Sequence, residues 1–248
     1  MAIQWVASVP AYLGRTERFY DLTGSLTYVT LTVVSIGLGP PAHARSALLG
    51  VLVVVWAVRL GSFLFRRIMA DGSDRRFDEI KTSFVRFFVA WTLQGVWVCF
   101  TMGAALAAIT SVRRVPLGVL AWVGVALWIG GFGIEAGADQ QKRRFRSRPD
   151  NAGRFIASGL WAWSRHPNYF GEIVLWTGVA VIALPALQGW QFVPLVSPLF
   201  VTLLLTKVSG VPLLEERADA KWAGDPEYEA YKAATPVLVP RPPRWRDG

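Results

Sequence analysis

Charge is scarce in this chain. Of 248 residues, 17% are Asp, Glu, Lys or Arg and 53% are hydrophobic, against about 25% charged in ordinary soluble domains. With a positive mean hydropathy, this composition excludes a water-soluble globular protein. Cysteine is nearly absent too: Cys99 stands alone within an apolar run, which excludes an intrachain disulfide and a cysteine-based zinc site. No segment repeats at intervals of 20 to 50 residues and no Gly/Ser linker divides the chain, so residues 1–248 read as one helical domain. The opening "MAIQWVASVPAYLGR" has neither the charged n-region nor the long apolar core of a cleaved signal. Too short and too broken by proline to span, it reads as an interfacial or re-entrant piece, a seventh helix at most.

What is present is a series of long apolar runs, at 22–39, 47–65, 84–109, 116–134, 169–186 and 191–210. Each has a length that crosses a bilayer, and the expectation is an all-α, polytopic integral membrane bundle of six to seven helices. Basic residues test the count. Alternate loops divide the 26 Lys and Arg so that 20 fall on one side, while only Arg45, Arg113 and Arg114 fall on the other and Arg59, Arg86 and Lys207 lie within spans. The positive-inside rule then puts both termini in the cytoplasm. The +9 net charge is accounted for by topology, and nucleic acid need not be invoked. Within the spans Arg86 and Lys207 lie near ends and can snorkel. Arg59 and Gln94 lie deeper and need partners, for which Asp21 and Glu17 are candidates for Arg59.

Two polar segments interrupt this pattern on the cytoplasmic side. The first, 135–168, carries Glu135 and Asp139 followed by Lys142, Arg143, Arg144, Arg146, Arg148 and Arg154. Such cations suit anionic lipid headgroups at about 1 kcal/mol each. They equally suit phosphates, since arginine forks bind them bidentately and Asp139 and Gln140 add acceptors beside them. Glu135 and Asp139, four apart, share a helical face and either pair with Arg143 or hold a ligand. The second segment, from about 211, has helical spacing at Leu213, Leu214, Arg217, Ala218 and Trp222, a turn at "GDP", and a short piece with Tyr228 and Tyr231 stopped by prolines. Together they predict a cytoplasmic pocket roofing the bundle.

Between them lies "GLWAWSRHPNYFGEIVLW", residues 159–176, where polar groups meet the start of an apolar run. Ser164 can cap, Pro167 suits a first helical turn, and Glu172 is well placed near a helix N-terminus. Helix initiation does not account for Asn168, Glu172 and His166 coming together under the arginine loop, with Asn168 and Glu172 on one face at i and i+4. An amide and a carboxylate complement a carboxamide, and Gly171 beside them would let a flat ring approach. His166, taken alone, is better explained by structure than by catalysis.

"GIEAGADQQKRRFR", "GLWAWSRHPNYFGEIVLWTG" and "KVSGVPLLEERADAKWAGDPEYEAYKAATPVLVP", covering roughly 130–240, resemble bacterial members of the steroid 5-alpha-reductase family. The related isoprenylcysteine carboxyl methyltransferases carry a similar His-Pro element. The resemblance implies NADPH-dependent reduction of a conjugated double bond, typically in a 3-oxo-4-ene steroid, by a monomer of the bacterial inner membrane. Residues 1–134 would be substrate-side helices and 135–248 the cofactor-binding half. By position, Asp139, Arg143, Arg146 and Arg154 would hold the adenosine and phosphates. Asn168 and Glu172 would orient the nicotinamide, with His166 beside them and Glu135 where the reductases often have Asn. The front half departs from the family: Trp56 stands where a Tyr is expected, and Asp21 is the nearest upstream acid. An indole N–H donates but cannot relay a proton, so Tyr20 or Tyr28 would substitute, which gives Asp21, Tyr28 and Trp56 as the carbonyl-polarising set. The competing readings are an S-adenosylmethionine-dependent methyltransferase, which leaves the arginines without a phosphate, and a non-catalytic sterol- or lipid-binding protein.

Overall fold

The computed structural model describes residues 1–243; Arg244 and Arg246 of the cytoplasmic count lie outside them. The fold is all-α, with no strand among the described residues. Six helical segments are long and apolar enough to cross a membrane: Tyr20–Leu38, Ala44–Asp71, Phe84–Ile109, Val119–Arg146, Pro167–Ala186 and Gly189–Trp222. Each contains the core of one of the runs read from hydropathy. The chain divides into two compact units, 1–121 with 179–197, and 122–178 with 198 onward.

In the first unit, α1 (Ala2–Leu13), α2 (Tyr20–Leu38), α3 (Ala44–Asp71) and α4 (Phe84–Ile109) pack together. The twelve residues of α1 rise about 18 Å, too little to cross a hydrocarbon core of about 30 Å. α1 is a helix docked on its neighbours. Gln4 Nε2 donates to Thr27 Oγ1 at 2.8 Å and Trp5 Nε1 to Thr92 Oγ1 at 3.0 Å, and Gln4 and Ser8 are fully buried. α2 and α3 approach closely through small residues, as membrane helices do: a Cβ on Gly61 would stand 2.5 Å from that of Ser25.

Arg45, expected in a solvated loop, is 1% exposed. Its guanidinium donates to the carbonyls of Ile182 at 2.6 Å and Pro116 at 2.7 Å, with Val115 at 3.4 Å. A buried cation needs such acceptors, and here they tie the loop after α4 to residues 179–197. The acids named as candidates for Arg59 both meet cations of the 66–83 segment. Glu17 meets Lys81 at 3.3 Å and accepts from the Asp74 N–H at 2.9 Å, while Asp21 lies 3.8 Å from Arg67 and 3.9 Å from Arg76. Arg59 lies over the Phe63 ring at 5.8 Å, and Gln94 donates to the Tyr20 carbonyl at 2.9 Å.

The second unit is built on α5 (Val119–Arg146) and α6 (Pro167–Ala183). They run antiparallel in backbone contact. A Cβ on Gly171 would stand 2.5 Å from the Gly131 carbonyl oxygen and one on Gly178 2.6 Å from that of Gly124, distances no real Cβ tolerates. Gly171 is therefore a helix-packing residue: the side the sequence reading kept open for a flat ring is filled by α5. The unit continues through α7 (Ser197–Leu203), a π-helical turn at Leu204–Val208, α8 (Val211–Trp222) and α9 (Pro226–Ala234).

Candidate cofactor-binding site

Because α5 runs on to Arg146, four of the six basic residues expected in a loop, Lys142, Arg143, Arg144 and Arg146, lie on helix, and the loop proper begins at Ser147. Polar residues ended the hydropathy signal at 134 without ending the helix. Glu135, Asp139, Lys142, Arg143 and Arg146 therefore lie at three- and four-residue spacing along one side of α5. Glu135 is 3% exposed and Asp139 half-buried, whereas Arg143, Arg146 and Arg154 are exposed.

Asn168 and Glu172 lie on the first turns of α6, where Pro167 occupies the first helical position as expected. Asn168 Nδ2 donates to Asp139 Oδ1 at 3.3 Å, joining the motif helix to the acidic and basic helix. Its own Oδ1 is buried with no hydrogen-bond partner among the described residues. Glu172 is 8% exposed, and the Gly171–Glu135 approach sets it beside the α5 backbone.

The segment before α6 is clamped from both sides. Ser164 is buried; its Oγ accepts from the His166 N–H at 3.1 Å and donates to the Leu238 carbonyl at 2.8 Å. The Arg165 N–H donates to the Pro236 carbonyl and the Arg241 N–H to that of Trp163, at 2.9 and 3.0 Å. From the other side, Glu215 on α8 meets His166 Nε2 with Oε1 and the Arg165 guanidinium with Oε2, each at 2.6 Å. His166 is 4% exposed, stacks on Tyr169 with ring centroids 5.7 Å apart, and keeps Nδ1 buried with no protein partner among the described residues. Burial holds its pKa below the ordinary value, with Lys142 and Arg165 acting the same way and Glu215 against them. Sequence reasoning did not single out Glu215: "LLEER" reads as part of a helix, and its partner lies 49 residues away, although the Glu-Glu pair of this tail also occurs in the related methyltransferases.

Arg154 is carried by a loop held at several points. Trp222 Nε1 donates to the Gly153 carbonyl at 2.7 Å, Gly153 adopts φ 82°, and Phe155 packs among Trp222, Tyr228 and Tyr231. α9 is capped by Asp225, whose Oδ1 accepts from the Glu227 N–H at 2.9 Å, and Tyr231 donates from its hydroxyl to the Trp161 carbonyl at 2.7 Å.

The residues expected to polarise a substrate carbonyl separate within the first unit. Tyr28 and Trp56 are buried and meet edge to face with centroids 5.0 Å apart. Asp21 is seven residues before Tyr28, about 10 Å along the helix, beside Arg67 and Arg76.

These observations define a polytopic helical membrane protein in which an acidic and basic helix face meets a Ser-Arg-His-Pro-Asn motif. Within that class, the chain belongs to the family described as "Protein of unknown function (DUF1295)", which matches residues 9–235 and is steroid 5-alpha-reductase-like. It is 36% identical over 69 residues to the 3-oxo-5-alpha-steroid 4-dehydrogenase 1 of Bos taurus, covering 28% of this chain and 26% of the relative. It is 28% identical over 118 residues to the Rattus norvegicus protein of the same name, covering 47% of this chain and 40% of the relative. With a Delta(14)-sterol reductase of Ascobolus immersus it shares 34% identity over 97 residues, 33% of this chain and 22% of that one. The chain thus spans less than half the length of each of these relatives. No solved structure matches it.

Proposed function

We propose that this protein is an NADPH-dependent reductase of a conjugated enone in an apolar, membrane-dissolved substrate, and that the double bond reduced is the delta-4 bond of a 3-oxo-steroid. The observation that carries the reading is the Asn168–Asp139 hydrogen bond, because it joins the two sequence elements that the resemblance assigns to opposite ends of one dinucleotide. The names of the relatives, two steroid dehydrogenases and a sterol reductase, support the reaction class.

The residues present fit such a cofactor. Arg143, Arg146 and Arg154 present exposed guanidiniums suited to phosphates. Asp139 is an acceptor for an adenosine hydroxyl or amine. Asn168 Oδ1, buried without a protein partner among the described residues, is an acceptor for a carboxamide N–H, with the Glu172 carboxylate one turn away. When bound, the nicotinamide supplies the hydride that reduces the carbon beta to the carbonyl. The chain must then stabilise negative charge on the carbonyl oxygen, which buried donors do best. We take Tyr28 and Trp56 as such donors, with Asp21, the nearest upstream acid, about 10 Å further along the helix beside Arg67 and Arg76. The alpha carbon takes its proton from a hydroxyl or from water, since the Trp56 N–H does not ionise.

We further propose, from the family resemblance, a monomer of the bacterial inner membrane; the distribution of Lys and Arg supports an orientation with both termini and the cofactor site cytoplasmic. Residues 1–134 take the substrate and 135–248 the cofactor. The test is turnover by purified protein in detergent with NADPH and progesterone or testosterone. Saturation of the ring double bond is expected, with deuteride from 4-labelled NADPH at C5 and a solvent proton at C4. Methyl transfer from S-adenosylmethionine to a prenylcysteine without steroid reduction would replace this reading with the methyltransferase one.

A further inference from the structure

The contact between α8 and the motif segment leaves one question of chemistry open: what the buried His166 ring does with its second nitrogen. Glu215 is shared between His166 and the Arg165 guanidinium. A carboxylate held by arginine is ionised and accepts only, so the proton in the 2.6 Å contact between Nε2 and Oε1 belongs to the imidazole. Burial keeps the ring neutral, and a neutral imidazole with hydrogen on Nε2 has a bare lone pair on Nδ1. That lone pair is buried without a partner among the described residues. An acceptor left so is destabilised by its lost hydration, and a bound donor would relieve that. Asn168 Oδ1, two residues on in the first turn of α6, is likewise buried without a partner among the described residues.

We propose that Glu215 is a positioning residue: with Arg165 it locks His166 in the Nε2–H tautomer, so that Nδ1 accepts a hydrogen bond from an O–H or N–H of the bound cofactor. This rests on the cofactor reading above and adds to it a residue, a tautomer and the polarity of one hydrogen bond. The geometry is reinforced at Gly210, where a Cβ would stand 2.9 Å from the Tyr169 ring. The absence of a side chain there lets the start of α8 close on the ring that stacks on His166.

The experiment is nitrogen NMR on protein labelled in its two histidines, in detergent or nanodiscs, with His43→Gln to assign the spectrum. Ligand-free protein should show His166 protonated on Nε2 alone. NADPH should shift the Nδ1 resonance in the direction of a hydrogen-bonded acceptor. Glu215→Gln, whose amide can accept or donate, should mix the two tautomers and weaken NADPH about tenfold, the worth of roughly one hydrogen bond. A proton on Nδ1 in the ligand-free protein overturns the proposal. So does an Nδ1 resonance unmoved while NADPH binds, which holds even if the Glu215 variant does not fold. Failure of the wild-type protein to bind NADPH at all would remove the cofactor reading, and with it this inference.

Discussion

Arg146 and Arg154 are carried by different elements, one by a helix and one by a loop pinned by Trp222. If both hold phosphates, Arg146→Ala and Arg154→Ala should each weaken NADPH, with a loss of about 1.5–3 kcal/mol for a charge-assisted contact. At least one should weaken NADH much less, and binding titrations with both dinucleotides identify the residue at the 2′-phosphate. His166 makes a second prediction. Its folded pKa lies below the ordinary value because of burial, whereas in the unfolded chain it titrates near 6.5. The stability it contributes is therefore complete above about pH 6.5 and is lost as pH falls through the lower folded value, the unfolded state taking up the proton first. The midpoint of thermal unfolding in detergent should fall more steeply below pH 6.5 in the wild type than in His166→Gln. Single residues were legible in the sequence where one chemical demand singles them out. Pro167 was read correctly because only the first turn tolerates it, and the "GDP" turn was read from its glycine and proline, though not the cap that Asp225 makes there. Gly171 was misread because a missing side chain says that something comes close without saying what.

At the level of elements, the α5–α6 pair rests on contacts that admit no side chain. Gly171→Ala or Gly178→Ala would drive a methyl group into a backbone carbonyl 2.5–2.6 Å away, and overpacking of this kind costs about 1–3 kcal/mol. Each should lower the unfolding midpoint. Gly130→Ala, on α5 with nothing within 4 Å of the added atom, should be neutral or slightly stabilising through helix propensity. Equal effects at all three positions would show that the pair does not depend on its backbone contact. Element existence was legible, since apolar length decides spans and all six were found. Element ends were not, where polarity and helicity part company. α5 continues for twelve residues past Ile134, because Glu135, Asp139, Lys142 and Arg146 keep helical spacing after hydropathy is spent. α1 was too short for a span and too apolar for a loop, and only its contacts, Gln4 with Thr27 and Trp5 with Thr92, decide its place.

For the molecule as a whole, the lone cysteine gives a direct test of orientation. In a Cys99→Ser background, Arg241→Cys should react with a membrane-impermeant maleimide only in inside-out vesicles, and Arg114→Cys only in right-side-out ones. The reverse pattern would invert the topology. Pairings over long separations were the part the sequence withheld: Ser164 with Leu238, Arg165 with Pro236, His166 with Glu215. Composition favours no one partner for these groups. The same clamp has a meaning in the order of synthesis. Residues 236–241 leave the ribosome after all six candidate spans, so a nascent chain can have every helix in the bilayer while the segment 163–166 still lacks the carbonyls that hold it. Insertion and completion of the site are thus separate events in the life of one molecule. A chain cut after α9 would hold all six candidate spans while its segment 163–166 had never been closed.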